Sequence, residues 1–199
     1  MSSKWLFSAS LVIAIGLAGC SGKTQGKHGR NLKRNYEIER KVEQTFGVKL
    51  NVPAEIHSSK EGKYFLWLSN NAAEQMKNLV VYEVNYNEGM PLTPERFCYL
   101  RDSVMRQHIK GETDVMYMMT VKESVRVEWN QKRNEGMVSG LWAMKGDAMG
   151  GPFRAKVIVK PDSMAHRLLI VEGFLYAPAI RNKKNLLNQI ENVLSSIKY

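Results

Sequence analysis

The sequence has few of the residues from which compact domains build disulfides, metal sites or catalytic centres. Cysteine occurs only twice, at positions 20 and 98, which excludes a framework of several disulfides. The four histidines, His28, His57, His108 and His166, are scattered without metal-ligand spacing. The motifs of metalloproteases, α/β-hydrolases, P-loop proteins and dinucleotide-binding proteins are absent. We therefore expect no metal and no cofactor, and we expect stability to come from an apolar core.

Long hydrophobic runs are also missing, apart from one short run near the N-terminus. Residues 5–17 are apolar or small, follow Lys4 and lead into Leu17-Ala-Gly-Cys20. The run is too short to span a bilayer permanently but suits the core of a signal peptide. Its ending matches the lipobox of bacterial lipoproteins. We expect residues 1–19 to be a removed signal peptide and Cys20 to carry a diacylglyceryl group; the alternative is an uncleaved anchor.

Acidic residues are absent from the segment that follows. Residues 20–34 carry Lys23, Lys27, Arg30, Lys33 and Arg34, whereas the chain from Asn35 onward has 23 basic and 19 acidic side chains. This composition predicts a flexible basic tether after Cys20, attracted to anionic head groups or serving only as a soluble spacer. Nucleic acid is a poor partner, because the positive charge is concentrated in this tether.

Hydrophobic patterning predicts a single α+β domain over residues 35–199. Residues 137–144, 153–160 and 167–176 are predicted to form three consecutive antiparallel strands, joined by turns at 145–152 and 161–164. In the first turn, Gly150 and Gly151 are expected to supply positive φ.

The remaining elements come from periodicity, caps and breakers. Further strands are predicted at 48–52, 63–68, 79–86 and 121–129, with 114–120 as an edge strand or a loop. Helices are predicted from the Asn35 cap to Gly47, from the Thr93 cap to Gly111, and along the apolar stripe of residues 186–197. The result is a mostly antiparallel sheet of about six to seven strands packed with helices.

Several motifs resemble a family of uncharacterised lipoproteins from Bacteroidetes-type bacteria, a domain of unknown function. The matching runs are Arg101-Asp-Ser-Val104, Gly140-Leu-Trp142, Met149-Gly-Gly-Pro-Phe153, Val171-Glu-Gly-Phe174 and Tyr176-Ala-Pro178. The resemblance covers roughly residue 36 to the C-terminus. It implies a periplasm-facing lipoprotein without a known activity.

The order of elements also resembles the PsbP-like sandwich. The resemblance depends on the Val48-x-Leu-x-Val-Pro53 strand, a long helix before a string of antiparallel strands, and a closing amphipathic helix. That fold hosts accessory and binding proteins more often than enzymes, so the resemblance informs the architecture and leaves function open.

A possible binding surface lies at the turn between two predicted strands. Exposed backbone N–H groups of two glycines can receive an anion, and neighbouring aromatic side chains, with Trp129, can line a pocket for a sugar or an apolar ligand. The residues of this surface are Trp142, Met149, Gly150, Gly151, Pro152 and Phe153. The competing interpretation is a structural hairpin with its aromatics in the core.

Other chemistry has weaker signals. Asp147 and Glu172 are the candidate pair for acid–base hydrolysis. The competing interpretation is that Asp147 is an ordinary turn residue and Glu172 an exposed strand residue. Candidate ligands for a soft metal are the thioethers of Met116, Met118 and Met119. The competing interpretation is that these side chains pack in the core or at a sheet edge. Cys98 is expected to be a buried small side chain, with a catalytic thiol as the alternative.

The leading interpretation is a non-enzymatic lipoprotein, anchored in the outer membrane and facing the periplasm, that binds an envelope protein or a small ligand. No catalytic residue is assigned. The alternative is an envelope hydrolase that uses Asp147 and Glu172.

Overall fold

A computed structural model describes residues 33–86, 91–160 and 167–199. The signal segment, Cys20, most of the tether and the turn at 161–164 lie outside these ranges. Within them the chain forms three helices and seven strands: α1 (Tyr36–Phe46), β1 (Ser58–Gly62), β2 (Phe65–Ser69), β3 (Met76–Asn85), α2 (Pro94–His108), β4 (Met118–Asn130), β5 (Glu135–Met144), β6 (Gly150–Val159), β7 (Arg167–Tyr176) and α3 (Lys184–Ser195).

The seven strands form one antiparallel sheet in the order β1-β2-β3-β7-β6-β5-β4. The predicted meander of β5, β6 and β7 is present, and β7 continues the sheet by pairing with β3, which joins the two halves of the chain. The α+β class and the strand number are confirmed. The likeness to PsbP-like proteins stays a prediction.

Helices α1 and α3 cover one side of the sheet, which we call the first face. Because apolar residues recur along one stripe of each helix, both can bury that stripe against the sheet. Their buried residues pack with aliphatic side chains of β2, β3 and β7. Within the predicted apolar stripe of α3, Ile190 and Leu194 are buried, whereas Leu187 is only half-buried.

Helix α2 covers the opposite side, the second face. It packs mainly on β4 and buries Phe97, Cys98, Arg101 and Met105. This core is richer in aromatic residues than the first, and it contains Tyr82, Trp142, Phe153 and Phe174 from four neighbouring strands.

The predicted caps of the first two helices are confirmed. The Asn35 side chain accepts a hydrogen bond from the amide of Ile38, and Gly47 ends α1 in the left-handed conformation at φ 70°. Thr93 caps α2 in the same way by accepting from the amide of Arg96. The second helix ends at His108, before the predicted Gly111. In the described part of the chain, no helix is long and apolar enough to cross a membrane.

Residues 48–52 do not form a strand of the sheet, contrary to the prediction. Their alternation is nevertheless real, because Val48, Leu50 and Val52 are buried while Lys49 and Asn51 are exposed. The segment lies beside the helices of the first face and makes a single bridge, from Lys49 to Lys198. Strand β1, which is polar and lies at the sheet edge, was not predicted, because it has no apolar alternation.

The glycines of the β5–β6 connection have a different role from the predicted one. Positive φ occurs at Gly146, whereas Gly150 and Gly151 lie in β6 and pair with Ala143 and Trp142. A Cβ atom on Gly151 would lie 2.0 Å from the carbonyl oxygen of Leu175. Gly151 is therefore needed for close approach of the backbones.

Candidate functional site

A charged pair lies inside the second-face core. The guanidinium of Arg101, on α2, donates from Nε and Nη2 to the two carboxylate oxygens of Glu172, on β7, at 2.9 and 2.7 Å. Both side chains are completely buried. The planar fork of arginine matches a carboxylate in this two-bond arrangement, which fixes the position of helix against strand.

Neighbouring residues satisfy the remaining polar atoms of the pair. Arg101 Nη1 donates to the Thr120 hydroxyl at 3.0 Å, and that hydroxyl donates to Asp102 at 2.6 Å. The Tyr82 hydroxyl donates to Glu172 at 3.4 Å. The guanidinium also lies 4.5 Å from the ring centre of Phe153. Together these contacts link α2 to β3, β4, β6 and β7.

The electrostatics around Arg101 keep its guanidinium charged. Burial opposes ionisation of Arg101, but the charge and hydrogen bonds of Glu172 outweigh it and raise the pKa of Arg101. Burial raises the pKa of the Tyr82 hydroxyl well above its ordinary value, and the nearby Glu172 charge adds to the rise. Tyr82 therefore remains a neutral hydrogen-bond donor across the physiological range.

The structure does not join the two carboxylates of the hydrolase alternative. Glu172 has no exposed surface and both of its oxygens accept from Arg101, so it has no contact with water or substrate. Asp147 lies in the exposed turn after β5. Glu172 is therefore not accessible to act with Asp147 as an acid–base pair in the arrangement that the structure shows.

The residues of the predicted binding surface lie partly in the second-face core and partly in strand β6. Trp142 and Phe153 are buried in the second-face core, and Trp142 Nε1 donates to the Leu175 carbonyl at 3.1 Å. Met149, Gly150, Gly151 and Pro152 are half-buried, and the last three belong to β6. These positions favour the structural interpretation of the hairpin.

The remaining candidate residues Cys98 and Met118 lie in the second-face core. Cys98 is buried in the second-face core, and burial raises the pKa of its thiol. The Met118 sulfur accepts from Arg101 Nη2 at 3.4 Å, which commits it to the ion-pair network. Among the described residues, no group of three or more histidine, cysteine or acidic side chains is placed to hold a metal ion.

An open cleft of about 340 Å³ lies at the β4–β5 hairpin end of the sheet. It is lined by both polar and apolar residues: Glu128, Trp129, Asn130, Glu135, Gly136, Met137 and Lys156. Glu135 is held on one side of it by Arg133, Lys156 and Tyr199, at 3.0, 3.0 and 2.8 Å. Glu128 is exposed, and no ion pair of the described residues includes it. Sequence reasoning missed this cleft, because its residues come together only through strand pairing.

Among the described residues, helix α3 packs on β6 and β7 and α1 packs on β3, so neither of these helices covers the first-face side of β4 and β5 beside this cleft. Leu141 is 45% exposed there, although it lies in the middle of the β5 ladder. A cleft next to an uncovered strip of sheet is a surface suited to binding another molecule.

The described residues form an α+β domain with one antiparallel sheet, in which a buried ion pair joins α2 to β7. The chain belongs to the family described as a domain of unknown function, DUF4837, whose model matches residues 35–196. No curated protein matches the chain significantly.

Proposed function

We propose that the chain is a lipoprotein of the bacterial cell envelope, of the Bacteroidetes type, that acts as a binding or accessory protein. The observation that carries the proposal is Leu17-Ala-Gly-Cys20, which follows a basic start and a short apolar run. A lipid on Cys20 would anchor the domain to a membrane through the basic tether. Burial of Glu172 with Arg101 weighs against the hydrolase alternative, because it withdraws one carboxylate of the Asp147–Glu172 pair from solvent.

Lipid attachment is tested by metabolic labelling with a clickable fatty acid. The wild-type protein should be labelled, and Cys20→Ala should not be. The variant Cys98→Ala is the matched control and should retain the label, because Cys98 is buried in the second-face core. Labelling that persists in Cys20→Ala would refute the lipid anchor.

The expected location is the outer membrane, with the domain facing the periplasm. The tether carries no acidic residue, and it thus lacks the acidic cluster associated with surface export in such bacteria. Protease added to intact cells should leave the domain uncut, and permeabilised cells should lose it. Removal of the domain from intact cells would place it on the cell surface instead.

We further propose that the cleft at the β4–β5 end binds the envelope partner. It combines an exposed carboxylate at Glu128, an amide at Asn130 and the half-buried side chain of Met137. Trp129 also lines it, although its side chain packs against the second-face core. Recognition sites typically combine polar and apolar groups in this way.

A photo-crosslinking amino acid placed at Glu128 in living cells tests this surface. It should give a discrete adduct, and the same amino acid at Tyr99, which is 76% exposed on α2, should not. Equal crosslinking from both positions would indicate random contact. Crosslinking from Tyr99 alone would move the binding surface to the second face.

A further inference from the structure

A second concave surface lies on the outer side of the first-face layer. This groove has a volume of about 660 Å³ and runs between α1, the extended segment 48–52 and the C-terminal residues. We call it the α1 groove. Asn51 and Lys49 point outward into it because the alternate residues Val48, Leu50 and Val52 are buried.

The charge of the α1 groove is positive. Its charged lining consists of four cations and two carboxylates: Arg34, Arg40, Lys49, Lys198, Glu39 and Glu43. Both carboxylates have partners, since Glu39 pairs with Arg34 and Glu43 pairs with Lys49. Arg40 and Lys198 are exposed, and no ion pair or side-chain hydrogen bond of the described residues includes either one. Two cations therefore remain available for a ligand with negative charge.

Tyr36 adds an aromatic residue to the same surface. It lines the α1 groove, is 65% exposed and lies under the guanidinium of Arg34, 5.1 Å from the ring centre. Tyrosine next to lysine and arginine is the combination that proteins place at the head-group level of membranes.

The α1 groove also lies where the tether joins the domain. The described chain begins at Lys33, and Arg34 is already part of the groove wall. Only 12 residues separate Cys20 from Lys33, and such a segment spans at most about 45 Å when fully extended. A lipid on Cys20 therefore keeps this surface close to the bilayer at a high effective concentration.

We infer that the α1 groove is a docking surface for anionic lipid head groups, so that the domain lies on the membrane with α1 facing the bilayer. This inference rests on the proposed lipid anchor. Arg40 and Lys198 contact lipid phosphates, and Tyr36 lies at the head-group level. Helix α2, on the second face, then points away from the membrane.

The test uses the acylated protein reconstituted in vesicles, with a polarity-sensitive dye on a single introduced cysteine. Labelling is specific because Cys20 is blocked by its lipid and Cys98 is buried. The dye on Asn51→Cys should shift to shorter wavelength in vesicles that contain phosphatidylglycerol. The matched control, Tyr99→Cys on α2, should keep the spectrum of a dye in water.

Charge variants sharpen the test. Arg40→Gln with Lys198→Gln should lower the ratio of docked to undocked protein on the order of 25-fold, since each basic residue near an anionic surface contributes about fivefold. Arg106→Gln with Lys110→Gln, two exposed cations of the opposite side, should leave the ratio unchanged. Salt at about 1 M should abolish the dye shift, because it screens charges beyond about 3 Å.

The outcomes separate the docking surface from the anchor. Protein that floats with vesicles while the dye on Asn51→Cys remains in water overturns the docking surface and leaves the anchor intact. Protein that does not float overturns the anchor. An equal shift in vesicles of phosphatidylcholine alone overturns the role of anionic lipid, and a shift from Tyr99→Cys alone reverses the orientation.

Discussion

The two faces of the sheet solve the same packing problem with different chemistry. The first face holds α1 and α3 with a core of aliphatic side chains and a single phenylalanine from α1, and the second face holds α2 with aromatics and a buried ion pair. Apolar packing is non-directional and tolerates repacking. A two-bond arginine–carboxylate pair is directional and fixes one arrangement. The comparison suggests that α1 and α3 are held by buried area, whereas α2 is held in a specified position.

The largest loss of stability is expected from Arg101→Met, which tests whether the ion pair holds α2. Removal of the arginine leaves the Glu172 carboxyl buried without its partner, so the free energy of unfolding should fall by about 3–5 kcal/mol. Urea unfolding followed by circular dichroism measures the loss.

The matched control is the double variant Arg101→Met with Glu172→Leu. Replacing a whole buried pair with apolar residues is often neutral, so the double variant should regain most of the lost stability. A single variant as stable as the wild type would show that the pair does not hold α2.

On the first face, Ile190→Ala should lower the free energy of unfolding by about 2–5 kcal/mol through the cavity it creates. Ile190 is buried in the core under α3. The urea midpoint should fall with little change in slope. Asn188→Ala, an exposed position on the same helix, should stay within about 0.5 kcal/mol of the wild type. If Ile190→Ala unfolds like the wild type, α3 is not part of the core.

Gly173→Ala sharpens the comparison at the contact between α3 and β7. The new Cβ would lie 2.4 Å from Ile190 Cγ2, so overpacking should lower stability by about 1–3 kcal/mol. In the Ile190→Ala background the obstructing atoms are gone, and Gly173→Ala should cost much less. A double-mutant cycle of thermal midpoints measures this coupling, and strict additivity would contradict the contact.

The smallest expected effect on stability comes from Glu135, a carboxylate at the polar rim of the first face. Burial raises its pKa, but hydrogen bonds from Lys156 and Tyr199 outweigh burial and leave the pKa below its usual value. A lowered folded-state pKa stabilises the fold above the unfolded-state pKa of about 4.3, and that contribution is lost as the pH falls through the folded-state value.

Glu135→Gln should therefore unfold with a weaker dependence on pH in the acid range. Urea midpoints between about pH 6 and pH 3 measure this dependence. Glu128→Gln, which neutralises an exposed carboxylate of the same cleft, is the matched control. An identical acid dependence in Glu135→Gln and the wild type would show that the contacts of Glu135 do not stabilise the fold.

The sequence predicted local structure better than it predicted the site. Caps at Asn35 and Thr93 and the strands of the meander depend on short-range chemistry, and they are confirmed. The pairing of Arg101 with Glu172 joins residues 71 positions apart, so spacing alone does not indicate it. One signal was available, since both are charged residues within apolar stripes, and buried charges need partners. The segment 48–52 misled because alternation reports burial and not pairing.

The two edge strands of the sheet bear on whether another chain can add to it in concentrated solution. Within the part of the chain that the structure describes, the sheet ends at β1 and β4, and each of these edge strands pairs with another strand on one side only. The pairing of β4 with β5 shifts between Val121 and Arg126, and β1 is only five residues long. Edges that are short or interrupted are poor templates for strand addition by another chain. We therefore expect the irregular outline of the sheet to disfavour fibril growth, and we expect a substitution that straightened β4 to lengthen the edge to which another chain could add.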